Sequence, residues 1–215
     1  MFESNFADII RDLSLIALPL LLGLTCHEAA HGFVAYLLGD PTAKQQGRLS
    51  LNPLKHLDPL GTFAFLITRM IGWAKPVPVN AGYFRDPQKG MMLVALAGPG
   101  ANFIVAILFA FILHFVTGIA PTASAGTVQT ILEPIANIAY VGVRVNLTLM
   151  IFNLLPIPPL DGSNVVAGLL PPVAAYKYMS FAKWGMPIVV IIALLGGFSL
   201  ILWPAVSFVE AILLF

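Results

Sequence analysis

Thr25-Cys26-His27-Glu28-Ala29-Ala30-His31-Gly32 sets two imidazoles and a carboxylate inside an apolar run that covers residues 13–38. About 20 apolar residues cross the hydrocarbon core of a bilayer, so this run is long enough to span one. Ionisable side chains inside such a run are costly and mark function. Residues four apart on a helix share a face, about 5–6 Å between Cβ atoms. Two imidazoles at that spacing can converge on one metal ion, with tetrahedral zinc the usual occupant. Glu28, one step round from His27, is near enough to act on a water held by that metal. The helix is placed at 14–38, kinked or broken near Pro19, and ended by Gly39-Asp40-Pro41-Thr42.

The composition fits a membrane setting. The 215 residues are 59% hydrophobic and only 10% charged, against about 25% charged in soluble domains, and mean hydropathy is +0.91. The chain therefore reads as an all-α polytopic membrane protein. A net charge of +1 offers no basic patch for nucleic acid. Cys26 is the one cysteine, which excludes an internal disulfide. The acidic start Met-Phe-Glu-Ser-Asn-Phe-Ala-Asp lacks the positive region of a cleaved signal, so the first apolar run is expected to belong to the mature chain.

Further along, 91–117 and 128–155 read as the second and third spans, 185–203 as the fourth, and 204–215 as a half-helix. The apolar segment 60–73 is too short to cross and reads as a re-entrant or interfacial helix. Arg48-Leu49-Ser50-Leu51-Asn52 alternates as a strand does, and the prolines of 74–80 make that segment an edge strand or an extended one. Lys44, Arg48, Lys55, Arg69, Lys75, Arg85 and Lys89 all fall between the first two spans, and 118–127 carries no Lys or Arg. The basic residues place 39–90 in the cytoplasm. The third span then returns to that side.

Two histidines leave a zinc site short of a ligand, since catalytic zinc takes three protein ligands and a water. His114 and Glu133 fall at the far face. Asp40, His56 and Asp58 lie in polar loops. Asp161 follows the returning third span, in the proline-broken stretch Pro156-Ile157-Pro158-Pro159-Leu160-Asp161-Gly162, where freed backbone groups can line a cavity. By position it is the best third ligand. An aspartate before glycine also suits a turn or cap, and Asn153 suits a helix–helix hydrogen bond. Cys26 reads as a small buried residue and His56 as a loop residue. Arg144, inside the third span, has no partner in this reading.

His27-Glu28-Ala29-Ala30-His31 together with Asn153-Leu154-Leu155-Pro156-Ile157-Pro158-Pro159-Leu160-Asp161-Gly162 resembles the two signature motifs of the site-2 protease family (peptidase M50). Ala97-Gly98-Pro99-Gly100-Ala101-Asn102 resembles a further family feature, and stretches within 52–61 and 72–79 resemble the compact microbial members. The resemblance implies an intramembrane zinc endopeptidase acting on transmembrane segments of membrane proteins. Its one zinc ion would be held by His27, His31 and Asp161, with Glu28 as the catalytic base and Asn153 contacting substrate. It implies a helical bundle with a three-helix catalytic core, a short membrane-associated helix and a small cytoplasmic-side β element. One domain is expected over 1–215, with core 14–165, C-terminal helices 166–215 and no PDZ or CBS domain. The partners would be a transmembrane-helix substrate and the lipid bilayer of the cell membrane, with the site towards the cytoplasm. The rival reading is a membrane zinc transporter or sensor, which needs no base beside its ligands.

Overall fold

The computed structural model describes residues 6–68 and 72–215, with side chains for 13–67 and 72–215. Arg69, one of the residues used for orientation, lies outside that set. The long helices are α1 (Phe6–Leu37), α2 (Pro59–Thr68), α3 (Pro87–Ile119), α4 (Glu133–Asn153), α5 (Asp161–Leu169), α6 (Pro172–Ser180), α7 (Ala182–Leu194) and α8 (Gly197–Leu214). Four stretches are long and apolar enough to cross a membrane: Leu13–Leu37, Pro87–Thr122, Ala125–Asn153 and Gly197–Leu214. The chain is a multi-pass membrane protein.

Helix α1 runs unbroken through Pro19. Helices α1, α3 and α4 pack on one another through small residues, which is how helices approach closely where lipid offers no hydrophobic gain for association. A Cβ on Gly23 would stand 2.5 Å from Asn146 Oδ1, and one on Gly142 2.4 Å from the Phe109 ring. Val105, Ala106, Phe109 and Ala110 of α3 meet Ala139, Val143 and Leu147 of α4 and Val206 of α8 in the main core.

The fourth span is displaced from its expected place. The sequence reading put it at 185–203, but the chain turns at Gly196, whose φ of +70° favours glycine, and the span is α8. Pro204 sits inside this helix and does not end it. Helices α6 and α7 form a pair bent by 54°. Gly185 lies against the Pro158 carbonyl, and the Phe198 ring is 5.3 Å from Phe152. The start of α7 and the start of α8 therefore both lie at the Asn153 end of the bundle. Arg144 finds its partner on α8: its Nε is 3.5 Å from Glu210 Oε2, and its guanidinium lies 4.9 Å from the Trp203 ring centre and 5.8 Å from that of Tyr140. An intramembrane cation thus meets a carboxylate and two aromatic faces, the company such a charge requires.

The segment between α1 and α3 folds over the end of α1. No strand forms among the described residues; the small β element is a single antiparallel bridge, Leu57 to Ala74. The reason is local. Arg48 is buried and its Nη2 donates to the carbonyls of Lys75 (2.6 Å) and Pro76 (3.3 Å), so a side chain takes acceptors that a strand would use. Pro76 and Pro78 have no N–H to offer a ladder. His56, expected as a loop residue, is buried and donates from Nε2 to Ser50 O at 2.7 Å. Helix α2 has ten residues, a rise of about 15 Å, half a bilayer core. Gly61 packs against Trp73, so the start of α2 and the segment at Trp73 lie together. Asp40 clamps the layer. Its carboxylate accepts the N–H of Asn80 (2.6 Å) and of Thr42 (2.9 Å). Burial alone would raise this carboxyl; those hydrogen bonds outweigh it and hold it below its ordinary value.

Candidate metal centre

His27 and His31 lie one turn apart on α1, both buried, with Nε2 atoms 3.0 Å apart and rings edge to face at 88°. Gly98 of α3 is the wall against which they rest. A Cβ there would be 2.5 Å from His31 Nε2 and 2.6 Å from His27 Cε1. Asp161 reaches them from the other side, with Oδ2 3.1 Å from His27 Nε2 and 3.3 Å from His31 Nε2.

The path to Asp161 depends on the broken stretch after α4. Ile157 N donates to Leu155 O and Leu160 N to Ile157 O, a pair of tight turns that start α5 beside the end of α4. Only a glycine fits next: a Cβ on Gly162 would lie 2.2 Å from Leu154 O. Asp161 is the first residue of α5, and the capping position before it, Leu160, makes no side-chain cap bond. The carboxylate is therefore not spent as a cap. Its Oδ2 is buried and accepts no hydrogen bond.

Proton positions follow from the neighbours. His31 Nδ1 is 2.7 Å from the Val94 carbonyl, which can only accept, so Nδ1 carries the proton and a neutral ring presents the Nε2 lone pair. His27 Nδ1 is 2.7 Å from Asn102 Oδ1, which asks the same of His27. Two Nε2 lone pairs and a carboxylate oxygen thus face one another, the only group of three or more possible ligands found among the described residues. Such a set repels itself unless a cation lies between. Ligand atoms each 2.0–2.1 Å from a tetrahedral zinc stand about 3.3 Å apart, and the three observed separations are close to that. The residues fit the metal.

Glu28 and Asn153 are placed differently. Glu28 Oε2 accepts the N–H of Val77 at 2.9 Å. In Pro76-Val77-Pro78 that is the single backbone donor, since proline has none. Asn153, the last residue of α4, donates from Nδ2 to Leu149 O of its own helix at 2.9 Å. His114 bonds to Ala110 O, and Cys26 packs against the main core, so neither joins the cluster. The sequence reading gave no role to Asn102 and missed Asn146 and Val77. A signal existed for the first: Val94, Gly98 and Asn102 are four apart on α3, so carbonyl, wall and amide share one face. Val77 and Asn146 come from distant segments, and no spacing points to them.

The chain matches the model of peptidase family M50 over residues 15–196. It is 38% identical over 194 residues to a Bacillus subtilis protein named "Putative zinc metalloprotease YwhC", covering 89% of this chain and 85% of the relative. It is 29% identical over 217 residues to "Putative zinc metalloprotease Rip2" of Mycolicibacterium smegmatis, covering 92% and 77%. No solved structure matches the chain. The chain belongs to peptidase family M50, the site-2 protease family. It is a membrane metalloprotease, and its cofactor is zinc.

Proposed function

We propose that the protein is an intramembrane zinc endopeptidase that cleaves transmembrane segments of membrane proteins, with its site towards the cytoplasm. His27, His31 and Asp161 hold the zinc. The observation that carries this is the convergence of His27 Nε2, His31 Nε2 and Asp161 Oδ2, from two helices of one packed core, with Glu28 next to His27 in the chain. Zinc, when bound, lowers the pKa of a water ligand towards about 7 and polarises a carbonyl. Glu28 takes the proton from the attacking water and passes it to the leaving nitrogen. The Val77 N–H fixes Oε2, which leaves Oε1 for the transfer. Asn153, the last residue of α4, uses one amide proton on Leu149 O and offers the other to the substrate backbone or the developing oxyanion.

His31 lies six residues before the end of α1, about 9 Å along the helix axis. A peptide bond cut at that depth must come from a segment that has unwound locally, because helical backbone is shielded by its own hydrogen bonds. The core of α1, α3, α4 and α5 carries the chemistry, and the chain acts as one domain. A transporter is not favoured, since it requires no general base. The test is cleavage of a reconstituted single-span substrate in vesicles. A zinc chelator is expected to stop cleavage, and re-added zinc to restore it. Cleavage that persists in zinc-free protein would refute the proposal.

A further inference from the structure

We propose that Asn102 and Asn146 are positioning residues that impose on His27 the tautomer it needs to bind metal. The inference rests on His27 being a zinc ligand. Both asparagines are fully buried, on α3 and α4, and Asn102 meets His27 at Nδ1, not at the Nε2 that faces Asp161. Asn146 Nδ2 lies 2.9 Å from Gly142 O. A carbonyl only accepts, so the atom facing it is nitrogen, and Asn146 Oδ1 is turned the other way. That oxygen is 3.2 Å from Asn102 Nδ2, and the Gly23 carbonyl of α1 is 3.1 Å from the same nitrogen. Both protons of the Asn102 amide are thereby used. Its Oδ1 is left facing His27 Nδ1 at 2.7 Å. An oxygen there forces the proton onto Nδ1 and the lone pair onto Nε2.

The network has a single consistent orientation. Reversing Asn102 would set its oxygen against two acceptors, the Gly23 carbonyl and Asn146 Oδ1. Two backbone carbonyls, on α1 and α4, thus decide which nitrogen of His27 is open to metal. His31 needs no such chain because Val94 O does the same in one step. Gly23 permits the arrangement, since a Cβ there would stand 2.5 Å from Asn146 Oδ1.

The test uses the full chain in detergent, with zinc affinity measured by chelator competition and the His27 tautomer read by ¹⁵N NMR of the zinc-free protein. Asn102→Ala is expected to weaken zinc by about 10–100-fold, the usual effect of removing a ligand's outer partner, and to give a mixture of His27 tautomers. Asn102→Asp keeps an acceptor at Nδ1 and is expected to keep the Nδ1–H form of His27, at a lower thermal midpoint because its second oxygen faces Asn146 Oδ1 and the Gly23 carbonyl. Asn146→Ala is expected to weaken zinc less. The double variant Asn102→Ala/Asn146→Ala is expected to lose no more than Asn102→Ala alone, because Asn146 acts through Asn102. Unchanged zinc affinity and a single Nδ1–H tautomer in Asn102→Ala would overturn the proposal, as would independent, additive losses from the two sites. His27→Ala separates the two claims: full zinc affinity in that variant would refute the ligand assignment itself, whereas its loss beside an unaffected Asn102→Ala would refute only the role of the asparagines.

Discussion

Glu28→Gln is expected to lower cleavage of a reconstituted substrate by about 10²–10⁴-fold, the usual contribution of a general base, while zinc stays bound. The amide has the shape of the carboxylate, and its oxygen can still accept the Val77 N–H that Glu28 Oε2 accepts at 2.9 Å. The loop layer over α1 should therefore keep its place. Glu28 is also absent from the group of atoms that can share a metal. What the substitution removes is the capacity to take a proton. Turnover and zinc content measured on one preparation separate this from loss of the metal. Turnover near that of the unaltered protein would show that the proton goes elsewhere.

The second large effect is expected at Gly98→Ala, which replaces neither a ligand nor the base. Its new methyl would lie 2.5 Å from His31 Cε1 and Nε2 and 2.6 Å from His27 Cε1. Helix α3 cannot withdraw easily, because Phe109 and Ala110 further along it are fixed in the main core. The imidazoles must swing away, and their Nε2 atoms no longer meet Asp161. Zinc affinity is expected to fall by more than the roughly 10–100-fold typical of an outer-partner change, and activity with it. Gly100→Ala is the matched control, since a Cβ there meets nothing within 4 Å. Zinc affinity and thermal midpoint of the two variants, compared side by side, check this. Equal zinc affinity would mean that Gly98 is not the wall of the site.

The part of this site carried by local spacing was legible from the chain alone. His27 and His31 fall on one face because they are four apart, and Asp161 was reachable because the basic residues indicate which end of each span lies on which side. Helix α2 was recognisable as too short to cross. Features decided by tertiary contact were not legible. The turn at Gly196 sits in an apolar run with no charge to mark it, so 185–203 looked like one span. Alternation in 48–52 resembled a strand, but the Arg48 guanidinium takes the carbonyls of Lys75 and Pro76 and the pairing stops at one bridge. Arg144 looked unpartnered because Glu210 is 66 positions away and on the displaced span. The same holds for Asn146, whose place beside Asn102 depends on how closely Gly23 lets α1 and α4 approach.

X-ray absorption at the zinc edge, with zinc content per chain, tests the centre most directly. One zinc per chain is expected, with two imidazole nitrogens and at least one oxygen at about 2.0–2.2 Å. The nitrogen signal should fall in His27→Ala and His31→Ala, and an oxygen contribution should change in Asp161→Ala. A zinc whose surroundings are the same in all three variants, or an active protein without zinc, would contradict the assignment of His27, His31 and Asp161.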